Sequence, residues 1–256
     1  MRWLVELLNV TGNKRLLGDV LRELSISVVE ENGESLLVGE PFETCDTAAD
    51  VHDHASRIQS IVQEVCDHDP EIEVAFSVGS VVERTTDGGP RRHHFLVVSD
   101  TFHLHVAGHV ACITVAPAAH LSEEERQRLE AQREEQEYQH LRATAVSRII
   151  PAVADDRALT VQRLLHGELT PQPLGHVADL IQDDLGTLVT QLASTNQWKR
   201  FYRSINHPTV FGEKARHIVS KVEPPPDPMT LDEARSFIRD VASKWLKSKA
   251  GFLGNA

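Results

Sequence analysis

Aromatic residues are scarce in this chain. Phe, Trp and Tyr make up 5% of its 256 positions, so any core must rest on Leu, Val, Ile and Ala. Cysteine is scarcer still: Cys45, Cys66 and Cys112 are odd in number and at no metal-binding spacing. That excludes a disulfide framework and fits reduced thiols packed as small hydrophobes in a cytoplasmic protein. No apolar run nears the roughly 20 residues that cross a bilayer, since even residues 106–115 are interrupted by His and Gly. The opening "MRWLVELLNV" has Glu6 inside its apolar run and no small-residue cleavage site after it, so neither a signal peptide nor a membrane partner is expected. No Gly-rich phosphate loop sits at a strand–helix junction. There is no internal repeat, no carboxylate pair stands out from the acidic background, and no cofactor is expected.

What the chain does have is acid, unevenly placed. The formal net charge is −12. Residues 1–149 carry 13 Lys and Arg against 26 Asp and Glu, whereas residues 150–256 carry 13 against 12. Such asymmetry between halves is a signal about partners.

The patterning predicts an α+β fold: an N-terminal antiparallel sheet with a packed helix over residues 1–118, a long charged bridging helix over 119–150, and a helical domain over 151–256. Residues 3–10 read as a strand. Leu17, Val20, Leu21 and Leu24 fall at helical spacing. Asn32-Gly33 tolerates the positive φ of a tight turn and predicts a hairpin. Asp46 or Thr47 caps a helix whose stripe is Val51, Ala55, Ile58, Val62 and Val65. Strands in a meander follow, from "EIEVAFSVGSVVER" through "RRHHFLVVSDTFHLHVAGHVACITVAP".

Ser122 with Glu125 forms a capping box that opens the charged helix. Its first half is nearly all polar and is expected to project or bridge between domains. Beyond it, Leu159, Val161, Leu164 and Leu165 mark one helix. Pro171 and Pro173 separate that helix from another, striped by Val177, Leu180, Ile181, Leu185, Leu188 and Leu192. A third helix starts after Thr195 or Asn196 and buries Trp198, Phe201, Tyr202 and Ile205. "EPPPDPM" (223–229) is a stiff spacer. Thr230 with Glu233 then caps a last helix carrying Ala234, Phe237, Ile238, Val241 and Trp245.

The densest chemistry lies in "QWKRFYRSINHPTVFGEKARHIVSK" (197–221), where six cationic side chains meet one carboxylate. An arginine can hold a phosphate by two parallel hydrogen bonds. A histidine titrates near neutrality and can move a proton to or from a ribose hydroxyl or leaving oxygen. Arg200 and Arg203 lie seven and four residues before His207 and share its helix face if the helix persists. Asn206 can orient the imidazole. Lys199, Lys214, Arg216 and His217 add phosphate-binding charge, and Trp198 and Tyr202 can stack a base.

The run Arg200–"FYRSIN"–His207 resembles the HEPN domains, small helical bundles whose signature is Arg, four to six residues, then His, near a helix end. Phe201 stands where the family carries a polar residue. "ARHI" (215–218) is similar to a stretch of helical abortive-infection domains. The resemblance implies a metal-independent, RNA-directed ribonuclease or RNA-binding effector of a prokaryotic toxin or defence system, its site formed across a homodimer. Arg200 or Arg203 would then bind phosphate and His207 would act as acid/base. The competing expectation is a non-catalytic interaction or regulatory subunit. In that reading the acidic domain and the long helix bind a protein partner, and the basic stretch is an intramolecular or partner contact.

A third reading places metal on the sheet. His103 and His105 would share one face, with His109 nearby and His93 and His94 across, a donor set suited to Zn²⁺. The alternation of Phe102, Leu104 and Val106 between them is also what an ordinary half-exposed strand shows.

Overall fold

The computed structural model describes residues 2–85, 89–95, 122–217 and 223–253. It is α+β, and the chain divides into two compact units, Met1–Val146 and Ser147–Ala256.

The first unit contains a five-stranded antiparallel sheet among the described residues, in the order β2-β3-β1-β4-β5. The strands are β1 (Trp3–Gly12), β2 (Ile26–Glu31), β3 (Glu34–Gly39), β4 (Val74–Glu83) and β5 (Arg91–His93). The hairpin between β2 and β3 turns on Asn32 and Gly33, both at positive φ, 52° and 81°, as a two-residue turn with primed geometry requires. At the end of β1 the Asn13 amide donates to the Glu73 carbonyl at 2.8 Å. The two backbones run so close there that a Cβ on Gly12 would sit 2.2 Å from that same oxygen, and Gly12 has a φ of +76°. Only glycine fits on both counts.

Two helices line the sheet. α1 (Lys14–Glu23) begins at Asn13, whose side chain accepts from the Leu16 amide, and buries Leu16, Leu17, Val20 and Leu21. α2 (Glu40–Glu43) is a single turn. α3 (Ala48–His68) is capped by Thr47, not Asp46, in a reciprocal box with Asp50. It lies against β4 and β1. Its buried Val51, Ala55, Ile58, Val62 and Val65 recur every three or four residues, and each such side chain contributes about 1–3 kcal/mol on leaving water.

α4 (Glu123–Ala154) runs through the unit boundary. Ser122 and Glu125 form the expected capping box. The middle of the helix is tied to α1. Glu135 accepts both terminal nitrogens of Arg15 at 2.9 and 3.0 Å, the Arg15 guanidinium lies 3.6 Å over the Tyr138 ring, and the Tyr138 hydroxyl donates to Asp19 at 2.6 Å. From Glu135 onward the helix finds polar partners on α1, whereas residues 124–134 are exposed.

The second unit holds the end of α4 with α5 (Asp156–His166), α6 (Pro171–Leu185), α7 (Thr195–Ile205), α8 (Pro208–Phe211) and α9 (Leu231–Leu253). Its core gathers Val161, Val177, Ile181, Trp198, Phe201, Ile205, Ile238, Val241 and Trp245. The two helices expected around Pro171 and Pro173 are present, but the prolines do not lie between them: both lie in the first turn of α6. Amide hydrogens there have no intrahelical acceptor, so proline sacrifices nothing. The stripe expected to reach Leu192 stops at Leu185, because Gly186 takes a φ of +54°. A 3₁₀ segment, Gly186–Gln191, follows and leaves Leu188 exposed. Thr230 and Glu233 cap α9 as expected. Among the described residues no helix is long and apolar enough to cross a membrane.

Candidate functional site

α7 positions most of the basic residues. Ser194 caps it in a reciprocal box with Gln197, one residue ahead of the expected start. Trp198, Phe201 and Ile205 face the core at 4%, 0% and 0% exposure. Those burials fix the rotation of the helix and place Lys199 and Arg203 on its exposed side.

Arg200 is committed to other work. Its Nε donates to the Asp227 carbonyl at 2.8 Å, and a terminal nitrogen lies 3.0 Å from the Asp227 carboxylate and 3.5 Å from Glu233. The guanidinium therefore fastens the proline-rich spacer and the first turn of α9 to α7. Buried Ser204 reinforces the seam: its hydroxyl donates to the Arg200 carbonyl at 2.7 Å and accepts the Met229 amide at 2.9 Å.

His207 ends the α7 corner and caps α8. Its Nδ1 accepts the Thr209 amide at 3.2 Å and lies 2.8 Å from the Thr209 hydroxyl. A backbone amide can only donate, so Nδ1 is unprotonated and the proton of the neutral ring sits on Nε2. The ring is 9% exposed. Asn206 is the C-cap of α7, and its Oδ1 is buried without a hydrogen-bond partner among the described residues.

Arg216 lies across α6. A Cβ on Gly175 would fall 2.6 Å from the Arg216 Cδ, so that glycine is the slot in which the side chain lies. One terminal nitrogen donates to Asp179 Oδ1 at 3.3 Å and the other bonds Oδ2. The Tyr202 hydroxyl reaches the same Asp179 at 3.2 Å and Gln182 at 3.1 Å. Burial and the Asp179 carboxylate both push the Tyr202 phenol above its ordinary range. Lys214 and His217 are exposed.

The eight candidate residues thus fall into separate settings. Arg200 and Arg216 neutralise carboxylates on different elements, and His207 and Asn206 terminate helices. Lys199 and Arg203 have no hydrogen-bond or ion-pair partner among the described residues and share one feature. They flank a depression of about 340 Å³ whose wall includes Val189, Gln182, Trp198 and Tyr202, with no carboxylate in its lining. Trp198 and Tyr202 stack there with ring centres 5.9 Å apart. The indole is held in the core and donates to the Val189 carbonyl at 3.3 Å, which leaves the half-buried Tyr202 ring to meet a ligand.

Spacing could not reveal Asp179, Asp227 and Glu233, because the partners of a guanidinium lie wherever the fold brings a carboxylate. In the first unit, His93 lies 3.5 Å from Glu83, and His94 Nδ1 lies 3.0 Å from the Ser80 hydroxyl. His103, His105 and His109 fall outside the described residues. Among the described residues no group of three His, Cys, Asp or Glu side chains is placed to hold a metal ion. No family model, curated protein or solved structure matches the chain.

Proposed function

We propose that the helical unit is a single-stranded RNA-binding module whose contact surface is the exposed side of α7. The reading rests on one observation: Lys199 and Arg203, the two cations of α7 without partners among the described residues, flank an aromatic-lined depression that has no carboxylate. Cations that track phosphates beside an aromatic face that meets a base are the elements of sequence-tolerant single-strand binding. The acidic balance of residues 1–149 disfavours phosphate contacts with the first unit, since like charges repel.

Of the two RNA-directed activities expected from the sequence, binding is favoured over cleavage. Arg200 would have to leave Asp227 and Glu233 to hold a phosphate. His207 has only Nε2 available for proton transfer while Nδ1 caps α8.

The test is fluorescence anisotropy with a labelled oligouridylate on the order of a dozen nucleotides long, in EDTA. The wild type binds saturably at low salt. Replacing Lys199 and Arg203 together by glutamate weakens binding by about tenfold or more and flattens the salt dependence, because two phosphate contacts are lost. Equal binding by the double variant would refute the patch. His207→Asn keeps a capping side chain while removing the imidazole. RNA cut by the wild type but left intact by this variant would restore the ribonuclease reading.

A further inference from the structure

A second cavity in the helical unit carries chemistry that the α7 patch does not use. It measures about 290 Å³ and lies among the end of α4, α5 and α9. α5 contributes Gln162, Leu165 and His166, three and four residues apart and so on one face; α9 contributes Arg239, Ser243 and Leu246 at the matching spacing, and Ser147 and Arg148 of α4 complete the lining. No carboxylate lines it, in a chain with a formal charge of −12.

Gln162 is the informative residue. Its side chain is 5% exposed. Nε2 donates to the Arg148 carbonyl at 2.9 Å. Because that carbonyl can only accept, the amide orientation is fixed and the other atom is the oxygen. That Oε1 is buried and has no donor among the described residues. A buried acceptor without a donor is costly, and native folds rarely keep one without a reason. Arg239 is exposed and has no hydrogen bond or ion pair among the described residues. Arg148 and His166 have partners of their own, and Arg148 still adds positive charge to the wall.

We propose that this cavity binds a nucleoside monophosphate. The Arg239 fork holds the phosphate by paired hydrogen bonds. Leu165 and Leu246 cover the apolar face of the base or sugar. An N–H or O–H of the ligand supplies the donor that Gln162 Oε1 lacks, reaching it as the lining side chains part. The volume is at the small end of ligand pockets, which suits one nucleotide and not a strand. The inference is independent of the α7 patch and shares none of its residues.

Isothermal titration with adenosine monophosphate, ribose 5-phosphate, inorganic phosphate and citrate tests it. The nucleotide is expected to bind with a dissociation constant on the order of 100 µM or tighter, and inorganic phosphate at least about tenfold more weakly because it fills only the arginine end. Arg239→Gln, at an exposed position, leaves the fold intact and weakens nucleotide binding by about tenfold. Gln162→Leu does the same, and where it lowers the melting temperature the exposed variant still decides. No saturable nucleotide binding, binding indifferent to Arg239→Gln, or phosphate and citrate binding as tightly as the nucleotide would each overturn the proposal.

Discussion

Trp245→Ala is expected to unfold the helical unit at a temperature lower by about 10 °C or more. The indole is fully buried in the cluster that joins α5, α6, α7 and α9. Removing a buried Trp costs about 3–5 kcal/mol, because a cavity remains where the ring was. The loss is not only apolar: Nε1 donates to Asp184 at 2.9 Å, and the Lys249 ammonium lies 5.1 Å from the ring centre. Trp245→Phe separates the contributions, keeping a ring and losing the donor, for about 1 kcal/mol. Thermal melts followed by helical circular dichroism provide the comparison. A shift of only a degree or two for Trp245→Ala would mean that the core described here does not hold this unit together.

The second large effect is expected from Lys249→Met. The Lys249 ammonium bonds Asp155 at 2.7 Å and Asp184 at 3.0 Å, joining the N-cap of α5 to the end of α6. All three side chains are between 19% and 26% exposed. Taking the ammonium from two carboxylates that water reaches only in part, and that keep the Trp245 and Arg157 donors, costs about 2 kcal/mol, less than for a fully buried pair. The effect must depend on pH in a definite direction. Burial alone would raise the Asp155 carboxyl, but its hydrogen bonds with Lys249 and the Arg157 amide outweigh that and hold it below the ordinary carboxylate range. The folded state therefore binds fewer protons than the unfolded state in acid. Stability from this contact is present above the unfolded carboxylate pKa and lost as pH falls through the depressed one. Urea unfolding should show a wide gap between wild type and Lys249→Met at neutral pH and a narrow one near pH 3. A gap of equal size at both would contradict the network.

Local chemistry was legible in the sequence where one residue type has one physical use. Asn32-Gly33 turned as expected because few pairs accept positive φ at both positions. The Ser122–Glu125 and Thr230–Glu233 boxes start helices because they satisfy amides that nothing else reaches. The α3 and α7 stripes followed from periodicity. Proline was misread at positions 171 and 173, since it marks a helix start as readily as a break. Leu188 and Leu192 continued a helical rhythm that Gly186 cuts by a backbone turn invisible to hydrophobicity. The candidate site was the least legible part. Arg200, Arg216 and His207 looked alike as free basic residues. What separates them from Lys199 and Arg203 is the reach of Asp227, Glu233, Asp179 and Thr209, and for the two arginines that is a product of tertiary packing. Gln162 gave no signal at all, because an orphaned acceptor exists only once its neighbours are in place.

The hydroxyl of Tyr138 on Asp19 and that of Tyr202 between Asp179 and Gln182 have an optical consequence. These are the two tyrosines of the chain. Burial, with the Asp19 bond, pushes Tyr138 up to about 12, and Tyr202 is pushed up as well. Titration with base should pass pH 10, where a free phenol ionises, with no phenolate band in the near ultraviolet. Each phenol ionises more readily once its partners are gone, so the native state loses stability as the pH climbs past the value of a free phenol. Phenolate absorbance thereby reports alkaline unfolding, with one dye built into each half of the molecule.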